Sequence, residues 1–168
     1  LLSAVGLKQQ IGYDGPTWLD QAILSKWRPD ARAPGFAMDV QDALVARGRW
    51  LVEHEFADIS ANGDINPHPH MTRKLRQMET ERLVNEVTGQ LNATFVRSEP
   101  GMRISGVYER AITTPTGKIA VIRREDTFTF APWKPPLEPL RGRTVAGMIG
   151  PNRVTWTLDH GRSLPGRS

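Results

Sequence analysis

Residues 106–135 read GVYERAITTPTGKIAVIRREDTFTFAPWKP, and the fold class turns on this stretch. Apolar residues alternate at every second position through three short runs, the pattern of half-buried strands. Pro115-Thr116-Gly117 separates the first two runs, and a charged corner at Glu125-Asp126 separates the next pair. The unit stops at Trp133, flanked by prolines. Working outward, period 2 begins near Met102 and predicts strands over 103–112, 118–125, 127–131, 143–149 and 153–158, with Pro151-Asn152 as the last turn. Between the third and fourth lies PWKPPLEPLRGR (132–143), too rich in proline for a strand but long enough for a helical turn near Leu137 to Leu140. Five short strands with a helical turn in that place predict a small β-barrel over 101–160, OB-like, or SH3-like since that form also closes with five strands.

Upstream the period is 3.6. Thr17, with Asp20 three residues on, predicts a helix entry, and Trp18, Leu19, Ala22, Ile23 and Trp27 follow at helical spacing until Pro29. A second helix is predicted from Phe36 through Val40, Leu44, Arg47 and Leu51, with Gly48 as a weak point. Asn62-Gly63 marks a hairpin. A third helix runs from Thr72 through Leu75, Met78, Arg82, Leu83, Val87 and Leu91. The expected architecture is therefore α+β: a helical part over 1–100 of about three helices and a small hairpin, winged-helix-like in content, packed on or followed by the barrel, with a flexible basic tail at 161–168.

The 168 residues are 39% hydrophobic and 24% charged, ordinary values for a globular chain. No apolar run approaches the roughly 20 residues a membrane helix needs, so no membrane insertion is expected. The opening LLSAVGLKQQ has neither the basic lead nor the cleavage pattern of a signal peptide, and without an initiator methionine the chain is expected to be a piece of a longer polypeptide. The lack of cysteine removes disulfides, Cys-type zinc sites and thiol catalysis, which fits a reducing, cytoplasmic setting. Residues 1–100 carry 11 Lys+Arg against 13 Asp+Glu, whereas residues 101–168 carry 11 against 5. A field of that sign in the C-terminal part attracts polyanions, nucleic acid above all.

No pattern of residues amounts to a catalytic constellation. His68-Pro69-His70 presents two imidazoles two apart, which face one ion only in an extended chain, with Asp64 or His54 as the nearest third ligands; a stiff loop with two solvent histidines is the simpler reading. Tyr13 and Tyr108 have no histidine array beside them. Glu79/Glu81 and Glu125/Asp126 read as solvated charges, and no phosphate loop or nucleophile elbow occurs. Candidate DNA contacts are Arg73, Lys74 and Arg76 at the start of the third helix, Arg123 and Arg124 at the end of the second strand, and Lys134, Arg141 and Arg143 around Trp133. Trp133 either stacks on a base or folds back to plug the barrel end. Trp156, alternating with Val154 and Leu158, is expected in the core. Arg162 and Arg167 lie on the tail.

The runs GVYERAITTPTGKIAVI (106–122), FTFAPWKPPLEPLRGRTVAGMI (128–149) and RVTWTLDHGR (153–162) resemble the C-terminal domain of unknown function carried by relaxases, the mobilisation nucleases of conjugative elements. The resemblance extends upstream through GYDGPTWLD (12–20), ALVARGRWLVEHEFA (43–57) and TRKLRQMETERL (72–83). Glu109 stands where that pattern is usually basic, and Thr114-Pro115-Thr116 replaces a small-residue turn. The resemblance implies a setting: a parent that nicks one DNA strand through a tyrosine and leaves with it through a type IV secretion channel. It implies no catalysis, metal or cofactor for this fragment. Two roles follow as expectations. One is an accessory domain that helps hold transferred DNA. The other is an interaction module that docks the relaxase to the secretion coupling protein, with Arg162 and Arg167 as an export tail.

Overall fold

A computed structural model of the chain describes residues 5–30, 32, 34–151 and 153–157. Their contacts divide into two compact units: the described residues up to Leu83 with Thr114–Gly117, and those of Val84–Thr113 together with the described residues from Lys118 onward. The tail with Arg162 and Arg167 lies outside the described residues, as do Asn152 of the last predicted turn and Leu158.

The first unit opens with α1 (Leu7–Ile11) and α2 (Trp18–Leu24), then α3 (Pro34–Glu53), the hairpin of β1 (Ala57–Ile59) and β2 (Ile65–Pro67), and the start of α4 (Met71–Leu91). Three helices and the hairpin stand in the predicted order. The short α1 was not predicted, because five residues are too few to show a period. Thr17 and Asp20 form a reciprocal cap at the start of α2: the Asp20 N–H donates to Thr17 Oγ1 and the Thr17 N–H to Asp20 Oδ2. The helix ends well before Pro29. Lys26 turns left-handed (φ 54°), its N–H reaches Ile23 O, and the Trp27 N–H reaches back to Ala22 O. That reversal folds Trp27 edge-on against Trp18, with ring centroids 5.1 Å apart. The same device closes α3, where Glu55 has φ 63° and the Phe56 N–H bonds Leu51 O.

Arg47 sits in the apolar stripe of α3 and is fully buried. Its guanidinium grips Asp20 with two bonds, Nε to Oδ1 at 2.8 Å and Nη2 to Oδ2 at 3.0 Å. The remaining N–H groups donate to the carbonyls of Gln10, Ile11, Tyr13 and Gly15. Trp50, one turn along α3, lies under the guanidinium with its ring centroid 4.1 Å from Cζ. One side chain thus fixes α1, the loop after it and the start of α2 onto α3. One turn of α3 also explains Gly48: a Cβ there would stand 2.9 Å from Ile65, so the hairpin can lie against the helix only because the position is glycine.

In the second unit, β4 (Arg103–Thr114), β5 (Gly117–Arg124), β6 (Thr127–Pro132), β7 (Thr144–Ile149) and β8 (Val154–Thr157) match the five predicted strands. A 3₁₀ helix over Pro135–Leu140 occupies the predicted helical turn. The strands do not close. The sheet runs β3-β6-β5-β4-β7-β8, where β3 is the two-residue strand Thr94–Phe95. Closure would need the outer edge of β6, and β3 occupies it in parallel through Thr94↔Thr127 and Phe95↔Phe128. The described residues therefore form an open six-stranded sheet, neither an OB-like nor an SH3-like barrel.

Strand alternation gives the sheet two apolar faces. Ile104, Tyr108, Ala120, Ile122 and Ala131 look toward Leu137 of the 3₁₀ helix. Val121 and Phe128 on the other face pack with Val87 and Ala93, joined by Val84 and Leu91 from the end of α4 and by the ring cluster of Phe95, Phe128 and Phe130. Trp156 is only partly buried, because β8 is the edge strand. It lies over its register partner Gly147, where a Cβ would meet the indole at 2.8 Å.

Two stability effects follow. Replacing Arg47 by Ala strands Asp20 and four carbonyls in a dry site, and urea melts should show a loss of about 3–5 kcal/mol. Arg47→Lys should recover little of it, since an ammonium cannot bond two carboxylate oxygens and four carbonyls from one position; wild-type stability in that variant would refute this account. In contrast, Glu55→Gly should stabilise by roughly 0.5–1 kcal/mol, the left-handed strain less glycine's entropic cost, and an unchanged melt would show that no strain is held there.

Candidate nucleic-acid interface

The cationic candidates fall into three places. Arg73, Lys74 and Arg76 are exposed on the first turns of α4, in the first unit, where the first turn holds no acidic residue. Arg123 and Arg124 end β5. Alternation puts them on opposite faces: Arg123 is half-buried with its Nε–H donating to Glu125 O, and Arg124 is exposed. Trp133, Lys134, Arg141 and Arg143 come together at the other end of the sheet, around a residue the sequence reading placed only as packed, Tyr108.

Tyr108 is buried at 2% exposure in the middle of β4. Its backbone is clamped by the turn at Gly142, with the Gly142 N–H donating to Tyr108 O at 2.7 Å and the Tyr108 N–H to Arg143 O at 2.9 Å. Arg141 and Arg143 are thereby presented on either side of that turn, and Arg141 Nε is further held by Glu109 O at 3.1 Å. The Trp133 indole N–H donates to the Tyr108 hydroxyl at 2.9 Å, which folds Trp133 back against the sheet core. Lys118, exposed at the start of β5, is tied to Trp133 twice. Its carbonyl accepts the Trp133 N–H at 3.1 Å, and its ammonium lies 4.5 Å from the ring centroid. A base stacking on Trp133 would have to displace Lys118 from that face, so the indole holds Lys118 and is not a free ring. Burial pushes the Tyr108 hydroxyl up from its usual range and Glu138 adds to the rise, against the Trp133 hydrogen bond and Arg141.

Lys118 was missed because a lysine opening a strand gives no signal of its own; Lys118 and Trp133 meet only through the pairing of β5 with β6. Two of the candidate histidines, His54 and His68, make other contacts. His68 contacts Glu55 O through Nδ1 and Asp58 Oδ2 through Nε2, each at 3.0 Å, and His54 stacks on Trp50. Among the described residues no group of three His, Cys, Asp or Glu could hold a metal ion. Tyr13 donates to Glu79 Oε2 at 2.7 Å and accepts from Arg82 Nη2 at 2.9 Å. Burial raises both the Tyr13 hydroxyl and the Glu79 carboxyl above their usual ranges.

Fold and site together define a mixed α+β protein whose sheet carries a cation-rich end, and among its described residues no helix is long and apolar enough to cross a membrane. The chain belongs to the family described as Protein of unknown function (DUF3363), whose family model matches residues 1–165. No curated protein and no solved structure matches it.

The Trp133–Tyr108 bond is open to a double-mutant test. Trp133→Phe leaves the buried Tyr108 hydroxyl without its donor and should cost about 1–3 kcal/mol in urea melts. Adding Tyr108→Phe should cost less than the two single losses summed, and strict additivity would show that the pair does not act together.

Proposed function

We propose that this chain is a non-catalytic accessory domain of a conjugative relaxase that holds transferred DNA by its phosphate backbone. The observation that carries this reading is the grouping of Lys118, Lys134, Arg141 and Arg143, all exposed, around the hydrogen-bonded Tyr108–Trp133 pair. The motifs shared with relaxase C-terminal domains supply the setting. Long cationic side chains on a fixed platform suit phosphate oxygens, and contacts of that kind carry affinity without sequence information. Trp133, bonded to Tyr108 and faced by Lys118, is not free to stack on a base at this end, so the expected binding is indifferent to sequence.

Gel shifts with unrelated single- and double-stranded oligonucleotides across a salt series test it. Four phosphate contacts give a log–log salt slope of roughly −3 to −4. Arg141→Glu with Arg143→Glu should weaken all oligonucleotides about equally and flatten that slope, with thermal melts confirming the fold. If the intact chain ignores DNA at low salt, or the double reversal leaves affinity unchanged, the reading is wrong.

A further inference from the structure

The opposite end of the sheet holds a second basic feature of different character. Arg103 opens β4 and Arg124 closes β5, and together they rim a cleft of about 170 Å³. Ile104, Ile122 and Phe128 line it, as do Val96 and Met102 from the segment that leads from β3 into β4. Both arginines are exposed, and among the described residues neither guanidinium takes part in an ion pair or hydrogen bond, although the Arg124 carbonyl accepts from the Thr127 hydroxyl. No acidic residue lines the cleft; Glu99, Glu125 and Asp126 are exposed nearby in sequence but outside it.

The rim is also apolar. Val96 is 44% exposed and Met102 38%; outside the lining, Met148, the register partner of Arg103, is 48% exposed. Exposed large apolar side chains gathered beside unpaired arginines are uncommon on a surface that faces only water. The volume is well under the roughly 300–1,000 Å³ of a small-molecule pocket, and it suits one aliphatic side chain. A nucleobase would need a ring face to stack on, and the aromatic in the lining, Phe128, is 1% exposed. Methionine, by contrast, adapts to varied aliphatic partners, and paired guanidinium groups match carboxylates.

We infer that this cleft docks a partner protein through an acidic segment, one aliphatic side chain entering between Met102 and Ile104 while flanking carboxylates bond Arg103 and Arg124. It is a separate site from the Tyr108–Trp133 end and stands whether or not that end binds DNA.

Fluorescence anisotropy with the 168-residue chain tests it at about 0.15 M salt, where long-range attraction is screened. Three labelled probes are compared: a peptide of repeated Asp-Leu, poly-aspartate of equal charge, and oligothymidine. The Asp-Leu peptide should bind at least about tenfold tighter than poly-aspartate, since only it fills the apolar cleft. Arg103→Gln with Arg124→Gln should weaken the peptide by about tenfold or more. Met102→Ser should weaken it separately, while Arg141→Glu with Arg143→Glu should leave it unchanged. The inference is overturned if the two peptides bind alike, or if the arginine and Met102 substitutions have no effect. It is equally overturned if the Arg103 and Arg124 substitutions abolish oligothymidine binding while the peptide does not bind, which would make this end a nucleic-acid contact. The substituted side chains are exposed, and unchanged melts confirm that each variant folds.

Discussion

A buried guanidinium organises the first unit. Taking such an ion out of water costs several kcal/mol unless its charge and its N–H groups are all matched. Arg47 has Asp20 for the charge and four main-chain carbonyls for the donors left over. Two of those carbonyls, Gln10 and Ile11, end the five-residue α1, and the other two, Tyr13 and Gly15, lie in the irregular loop before the cap of α2. The arginine therefore acts as a template: it converts an irregular segment into a defined surface for α3. Asp20 does double duty, closing the cap of α2 with Thr17 while neutralising Arg47, which couples the start of one helix to the middle of another.

What was legible in the sequence followed from period. Strands from Arg103 to Thr157 and the long helices α3 and α4 bury enough alternating or helically spaced residues for their patterns to show. Closure was misread because the strand that decides it, Thr94–Phe95, is two residues long and has no period. The end of α2 was misread because a left-handed lysine, Lys26, stops it before Pro29, and glycine is the usual sign of such a stop. Arg47 did carry a signal. A charged residue at a core position of an otherwise apolar stripe requires a buried partner, and Asp20 was already marked as a cap.

The cationic character of residues 101–168 was equally legible as a count, but not its distribution. Register puts Lys118, Lys134, Arg141 and Arg143 at one end of the sheet and Arg103 and Arg124 at the other. Along β5, Lys118 and Arg124 stand about 20 Å apart at the usual strand rise, two Debye lengths at ordinary ionic strength. The two ends thus act on their surroundings as separate charged surfaces, one built on a tyrosine–tryptophan pair and one on an aliphatic cleft.

An open sheet has edges where a barrel has none, and edges invite pairing between copies. Here the described edge strands are short, two residues in β3 and four in β8. Beside β3, the outward acceptors of the β6 hairpin are spoken for: Asp126 O by Thr94, Phe128 O by Val96, and Phe130 O by the Ser98 hydroxyl. Pro132, at the end of β6, has no N–H to offer. The same two-residue strand that prevents closure, with the two residues that follow its line, leaves that margin of the sheet with almost no free backbone to template an aggregate.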